Sequence, residues 1–398
     1  MAIEAGVLML AAASGSAAQA VAPTLQGGVP WMVGPVALYP SISLRDVGFD
    51  SNINDDSQNP IGDFTATTQP RLRASLGVGP TQLTGSITIG LVYYATAKEQ
   101  QSVNRHYEVR YEGTTSRLRP FVAASFNHTS QRTGYEIDAH LPQIDTSLSA
   151  GAEFKITPVT SITGSYRRTT QEYLDTAEFL GTALAQQLNY TSDIASAGTR
   201  LALTPLTTVS VDIDLQRDRF DQSPLRDANS VRVLPAAEFS PDAIITGRLA
   251  LGFRQFRPLD ARVVPFQGLV GSARITGSLL DGPQLSFDGV RDVNYSYDPA
   301  TPYYLVLSGH LTVTQRVGGP FDLIGQAGAD RLNYVAIEGL PSPGRVDLTR
   351  IVGGGVGLRV SPALRVAVVY DVTTRRSTEI NNRAYDRRRL FASVTYGL

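Results

Sequence analysis

The chain has no cysteine. That absence removes disulfides, thiolate metal ligands and thiol nucleophiles together. Histidine is scarce: His106, His128, His140 and His310 are scattered without metal-ligand spacing, so no metal site and no cofactor are expected. The formal net charge is only -1, which gives no global pull toward nucleic acid or an anionic membrane surface. No nucleic-acid partner is expected, and any electrostatic function has to be local. Beyond the amino terminus there is no apolar run of about eighteen residues, so no transmembrane helix is expected. If this chain sits in a membrane it must do so as a closed barrel, since only helices and closed rings satisfy every backbone group in lipid.

What the sequence has in abundance is two-residue alternation. Phe64, Ala66, Pro70, Leu72, Ala74, Leu76 and Val78 alternate with Thr65, Thr67, Gln69, Arg71, Arg73 and Ser75. Leu148, Ala150, Ala152 and Phe154 alternate with Ser147, Ser149, Glu153 and Lys155, and Val209, Val211, Ile213 and Leu215 with Ser210, Asp212, Asp214 and Gln216. Extended backbone places such rows on opposite faces. Each stretch runs about 10 to 15 residues, twice a usual globular strand and suited to a tilted membrane crossing.

The breaks between stretches fall into two kinds. Short turns recur at Gly79-Pro80, Thr157-Pro158, Thr204-Pro205, Ser240-Pro241, Gly282-Pro283, Gly319-Pro320 and Ser361-Pro362, with 113–116 filling the one gap. They lie roughly 36 to 47 residues apart, one strand out and one back. Proline suits a tight turn and is barred from the ladder, so it marks strand ends. Between them lie longer polar breaks at 52–61, 98–105, 129–143, 174–187, 219–229, 257–265, 298–302, 335–344 and 376–384. Short turns on one side and long loops on the other predict an all-β, antiparallel, up-and-down transmembrane β-barrel of about 18 strands (16 to 18). Two places resist the pattern: 281–297 is poorly alternating, and 36–49 slips register near Asp46.

Residues 1–20 carry an apolar run ending in Ala18-Gln19-Ala20 and read as a signal peptide. Its positive segment is missing, which points to a truncated start. Residues 21–35 read as a periplasmic leader and 36–398 as the outer-membrane β-barrel. The final stretch, 390–398, alternates Leu390, Ala392, Val394, Tyr396 and Leu398 with smaller or polar residues. Bacterial outer-membrane barrels end on such a strand, so Leu390 through Leu398 is expected to close the ring and engage the barrel-assembly machinery. Outer-membrane lipid and lipopolysaccharide are the other expected partners. Tyr93, Tyr94, Tyr107, Tyr111, Tyr166, Tyr173, Tyr295, Tyr297, Tyr303, Tyr334 and Tyr370 are expected to form a headgroup-level girdle at the loop-side strand ends.

Gly48-Phe49-Asp50-Ser51-Asn52, then Gly62-Asp63-Phe64 with Pro70 in the following strand, and Tyr93-Tyr94 before a polar loop holding Asn104, resemble the opening of outer-membrane β-barrel porins often found in exopolysaccharide gene clusters. The resemblance implies a channel in the bacterial outer membrane, a link to secreting or admitting carbohydrate, and polysaccharide as a candidate partner. It supplies no catalytic residues.

In a barrel the polar row of each strand lines the lumen. The candidates are Arg71, Arg73, Arg110, Arg119, Glu153, Lys155, Arg167, Asp212, Asp214, Arg248, Arg254, Asp330, Arg359, Arg365 and Asp371. Opposed charges across a wet passage orient polar solutes, and inward Tyr94, Tyr304 and Phe391 could stack on sugar faces. Pairs such as His106 with Glu108 have no nucleophile brought to a base, so no enzyme is expected. Residues 174–187 have helical composition, with Ala177, Leu180, Leu184 and Gln187 at helical spacing, and predict a short helix capping the mouth. The residues Gly353-Gly354-Gly355 are read as relieving crowding on a strand. A general diffusion porin and a loop-plugged barrel for adhesion or scaffolding stay open as alternatives.

Overall fold

The structure, a computed structural model, describes residues 30–132, 134–278, 282–339, 344–378 and 383–397. The expected signal peptide and most of the leader lie outside these described residues. Eighteen antiparallel strands form one closed ring. The first six are β1 (Val36–Asp50), β2 (Asp63–Val78), β3 (Thr81–Tyr94), β4 (Ser102–Gly113), β5 (Leu118–Thr129) and β6 (Gln143–Lys155). Next come β7 (Thr160–Tyr173), β8 (Tyr190–Thr204), β9 (Thr207–Phe220), β10 (Ala228–Phe239), β11 (Ile245–Pro258) and β12 (Phe266–Ser278). The last are β13 (Gln284–Tyr295), β14 (Tyr303–Gly318), β15 (Phe321–Val335), β16 (Val346–Ser361), β17 (Leu364–Ser377) and β18 (Tyr385–Gly397).

Each strand pairs with its neighbours in sequence, and β18 closes on β1 from Ser41 opposite Gly397 to Asp50 opposite Arg389. Closure leaves no sheet edge to be solvated in lipid. The proline turns expected from the sequence separate the strands on one side, and the long breaks become loops on the other. The loop expected over 98–105 is shorter, because β4 already begins at Ser102. The slip near Asp46 is a β-bulge: Asp46 takes a positive φ of 53°, and the ladders shift between Leu44 and Val47 on one side and Arg45 and Gly48 on the other. One extra residue there restores the in-out phase. Ahead of β1, Trp31–Val33 folds back through Gly34 (φ 59°) and pairs with Val36 to Leu38, so the end of the segment expected to be a leader is part of the sheet.

The outward rows are apolar and exposed, as at Leu72, Ile87, Val122, Leu148, Leu215, Leu251, Val352 and Leu390. Charges on these rows are confined to the loop-side ends. On β4 to β11 they include Arg105, Arg168, Asp193, Arg217, Arg219 and Arg257. On β13 to β18 they are Arg291, Arg331, Arg350, Arg376, Asp386 and Arg388.

The poorly patterned segment has a structural cause. Pairing of β12 with β13 stops at Gly271 opposite Arg291, while β13 continues with β14 as far as Tyr295 opposite Tyr303. The loop-side end of this hairpin packs its Val293, Tyr295 and Tyr303 on Ala228, Phe256 and Phe266, which belong to β10, β11 and β12. Residues of both parities are thus covered, which erases alternation. Above the hairpin the two flanking loops meet: Val263 bridges Ile337, and the Glu338 N–H donates to the Arg262 carbonyl at 2.9 Å.

Candidate functional site: the lumen and its loop-side constriction

The loop between β5 and β6, residues 130–142, reaches far across the ring. Glu136 accepts from the Ser296 hydroxyl at 2.8 Å and from the Tyr297 N–H at 3.1 Å, in the loop between β13 and β14. Asp138 is held by Arg375 of β17 at 2.7 Å and Arg383 at 3.0 Å, and Arg132 pairs with Asp55 of the first loop at 3.0 Å. Since β5 and β14 stand on opposite sides of an 18-strand ring, this loop spans the lumen. Burial pushes the Glu136 carboxyl up, against the pull of Arg383 and Arg345. Burial also pushes the His140 imidazole down, where its Nε2 meets the Tyr94 hydroxyl at 3.3 Å.

The loop between β7 and β8 joins it. Phe179 meets Tyr297 edge-on at 4.9 Å, and Ile137, Tyr173, Ala177, Phe179, Leu184 and Leu188 share one buried cluster. Arg226, buried in the loop between β9 and β10, ties these segments together by donating to the Ser296 carbonyl at 2.9 Å and to Gln187 at 2.7 Å. The expected helix shrinks to Leu184–Leu188. Ahead of it Glu178–Phe179 and Thr182–Ala183 form a small hairpin, because Leu180 and Gly181 both take positive φ, of 50° and 77°. Leu180 points away and is exposed, whereas Ala177 and Leu184 are fully buried.

The tyrosine girdle is largely overturned. Tyr94, Tyr173, Tyr295, Tyr297, Tyr303 and Tyr334 are buried inside the loop-side mouth. Tyr111 is outward but sits near a short turn. Tyr93 fits the girdle, while Tyr107, Tyr166 and Tyr370 point outward nearer mid-strand. For the same reason Tyr94 and Tyr304, at 6% and 3% exposure, are not free to stack on a sugar. Phe391 is half-buried on an inward position.

The fifteen candidates lie on the inward rows by register, but they divide into two groups. Many are spent on one another or on neighbours. Arg254 meets Asp292 at 2.6 Å, and Arg232 bridges Asp292 at 3.4 Å and Asp214 at 3.2 Å. Arg248 pairs with Asp212 at 3.0 Å, Arg365 with Asp322 at 2.7 Å, and Arg389 with Asp371 at 2.9 Å. Arg110 pairs with Glu112 at 3.0 Å, Glu153 accepts from Ser161 at 2.6 Å, and Asp330 holds His310 at 2.9 Å and Ser308. The pair Arg365–Asp322 lies flat across Gly357, where an added Cβ would collide with both. Gly353 and Gly355 are crowded in the same way by Gln326 and by the β17 backbone, as expected, whereas Gly354 meets only ordinary contact.

The second group has no hydrogen-bond or ion-pair partner among the described residues: Arg71, Arg119, Lys155, Arg167 and Arg359, with Arg73 in contact only with the Tyr39 ring at 4.9 Å. All except Arg167 sit on the short-turn half of the lumen. Sequence reasoning missed two cations of the same kind, Arg200 and Arg316, although both sit on polar positions of alternating strands. It also missed the central anions Glu136, Asp138, Asp292 and Asp347. Asp292 hid in the unpatterned segment, and Glu136 and Asp138 in a loop where periodicity carries no signal.

The porin-like opening motif works as a clamp on the first loop. The Asn52 N–H donates to Asp50 at 3.0 Å, Asn52 exchanges bonds with the Asp56 backbone at 2.8 and 3.0 Å, and Asp63 accepts from the Phe64, Thr96 and Ala97 amides. Asp50 in turn holds Arg387 of β18.

A closed barrel of 18 strands with an apolar outer band, a charged lumen, short turns and long inward-folded loops is the architecture of an outer-membrane porin, a channel for small solutes in the bacterial outer membrane. The chain belongs to the family described as "Putative beta-barrel porin 2", which matches residues 28–397. Among solved structures it is similar to OccK2 (OpdF) of Pseudomonas aeruginosa, with a TM-score of 0.53 and 11% identity over 91% of this chain and 98% of that one. The same protein in complex with glucuronate gives 0.52 and 12% over the same shares. A BenF-like porin from Pseudomonas fluorescens Pf-5 superposes with a TM-score of 0.48 and 12% identity, over 91% and 99%. At these identities the likeness concerns the fold. No curated protein matches the chain in sequence.

Proposed function

We propose that this porin admits small acidic saccharides and other small carboxylate-bearing polar solutes. The observation that carries the reading is the set of inward cations on the short-turn half of the lumen, Arg71, Arg119, Lys155 and Arg359, that have no hydrogen-bond or ion-pair partner among the described residues. A guanidinium without a protein partner is free to take a carboxylate bidentately while its neighbours bond hydroxyls. The solved complex of OccK2, a barrel of similar fold, with glucuronate supports the reading. The inward-folded loops suit metering of small molecules better than threading a polymer, so the geometry lends export of exopolysaccharide less support than uptake of its acidic building blocks.

The test is planar-bilayer recording of the purified chain. Chloride current should be blocked by millimolar glucuronate and much less by glucose, and anions should permeate more readily than cations. Equal insensitivity to both sugars would favour a general diffusion porin. Complete absence of conductance would favour the second reading, a sealed barrel serving adhesion or scaffolding, which the apolar core shared by the loops supports.

A further inference from the structure

The outward rows carry a pattern that solute passage does not use. An arginine facing lipid is costly near the middle of the bilayer and tolerable only at the headgroup level, where its long stem lets the charge rise to the interface. Here every charged outward strand residue among those described lies within a few positions of the loop-side end, and the short-turn halves of the outward rows carry none. The bias is therefore toward one leaflet, the outer one, because long loops mark the extracellular side.

Over β13 to β17 the placement becomes regular. Arg291 stands opposite Leu307, Leu307 opposite Arg331, Arg331 opposite Leu348, and Leu348 opposite Arg376. Arginine thus recurs on every second strand along one register row, about 10 Å apart, with leucine between. The Nε atoms of Arg291 and Arg331 are engaged by the Leu269 carbonyl and by Asn333, both at 3.0 Å, which fixes the stems. Their terminal nitrogens have no bond among the described residues. Arg350 and Arg388 of the adjoining rows also have no side-chain partner among the described residues, whereas Arg376 is spent on the Arg375 and Tyr385 carbonyls and on Asp386 at 2.9 Å, the one outward carboxylate on these strands.

We propose that the outer face of β13 to β18 is a docking surface for a glycolipid of the outer leaflet that carries two phosphate groups, the lipid A portion of lipopolysaccharide. Its two phosphates take the free terminal nitrogens of Arg291 and Arg331, and its acyl chains lie on Leu307 and Leu348. A lipid with one phosphodiester meets one arginine at a time and leaves the other uncompensated. The surface is separate from the lumen, so it stands whether or not the proposed solute is right.

Binding to the purified full chain in detergent should be measured by native mass spectrometry with three probes: bisphosphorylated lipid A, the same lipid stripped of both phosphates, and phosphatidylglycerol. The first should bind at least tenfold more tightly than either of the others. In a variant combining R291Q and R331Q that advantage should vanish, with heat-modifiable gel migration confirming that the barrel is intact. Equal binding of the dephosphorylated lipid or of phosphatidylglycerol to the unmodified chain overturns the proposal without needing any variant. So does a folded double variant that keeps the tenfold preference.

Discussion

The two halves of the lumen are lined by the same strands and obey the same alternation, yet they are different solvents. On the loop side, inward residues such as Tyr304, Val306, Leu332 and Tyr334 form a dry core, and the charges among them are cross-linked: Arg375 is 1% exposed and bonds Asp138 and Asp347 at 2.7 and 2.6 Å. On the short-turn side, Arg71 and Arg73 are exposed to the open lumen, and the cations there stand largely alone. Burial explains the contrast. A charge taken out of water has to be matched or it destabilises the fold, whereas a charge left in a wet vestibule needs no partner and stays available to a solute.

The sharpest way to break this contrast is to remove one charge from each half. Arg375→Ala leaves Asp138 and Asp347 short of a buried partner and should cost about 3 to 5 kcal/mol, the usual loss when one member of a buried pair is removed. Arg359→Ala should change stability by less than about 0.5 kcal/mol, as surface replacements do. Urea unfolding in lipid vesicles reads both, and equal losses would erase the distinction between the halves. Next, replacing residues 131–141 with a short Gly-Ser link should raise single-channel conductance severalfold. An unchanged conductance would mean that the spanning loop does not set the passage.

A smaller effect is expected from combining R71Q, R119Q and R359Q. Anion-over-cation permeability should fall toward unity in reversal-potential measurements while the unfolding midpoint stays put. The smallest effect concerns pH. Burial holds the His140 imidazole below its ordinary value of 6.5, so below that pH the unfolded loop takes up a proton that the packed one does not. The loop-side packing should therefore weaken as pH falls from about 6.5. More frequent channel-opening events at pH 5.5 than at pH 7.5, and a flatter dependence in His140→Gln, would show it.

Much of the frame was legible in the sequence, because proline turns and two-residue alternation report strand ends and strand faces directly. The slip at Asp46 could even be read one residue at a time. What alternation cannot report is the medium that covers a face. Tyr295 and Tyr303 fit a membrane girdle as well as they fit a protein core, and only the inward lean of the β13–β14 hairpin decides between them. Residues 174–187 misled for a related reason. Their composition favours helix, but Leu180 and Gly181 turn the chain first, and packing against Ile137 and Tyr297 leaves only Leu184–Leu188 helical. The anions of the spanning loop, Glu136 and Asp138, were invisible because their partners come from the far side of the ring.

The hairpin ahead of β1 has a practical consequence. It occupies the stretch of β1 that β18, ending at Gly397, no longer reaches, and it carries Trp31, the sole tryptophan of the chain. That indole is a built-in fluorophore beside the seam where the first and last strands meet, so its emission reports on that seam with no label attached.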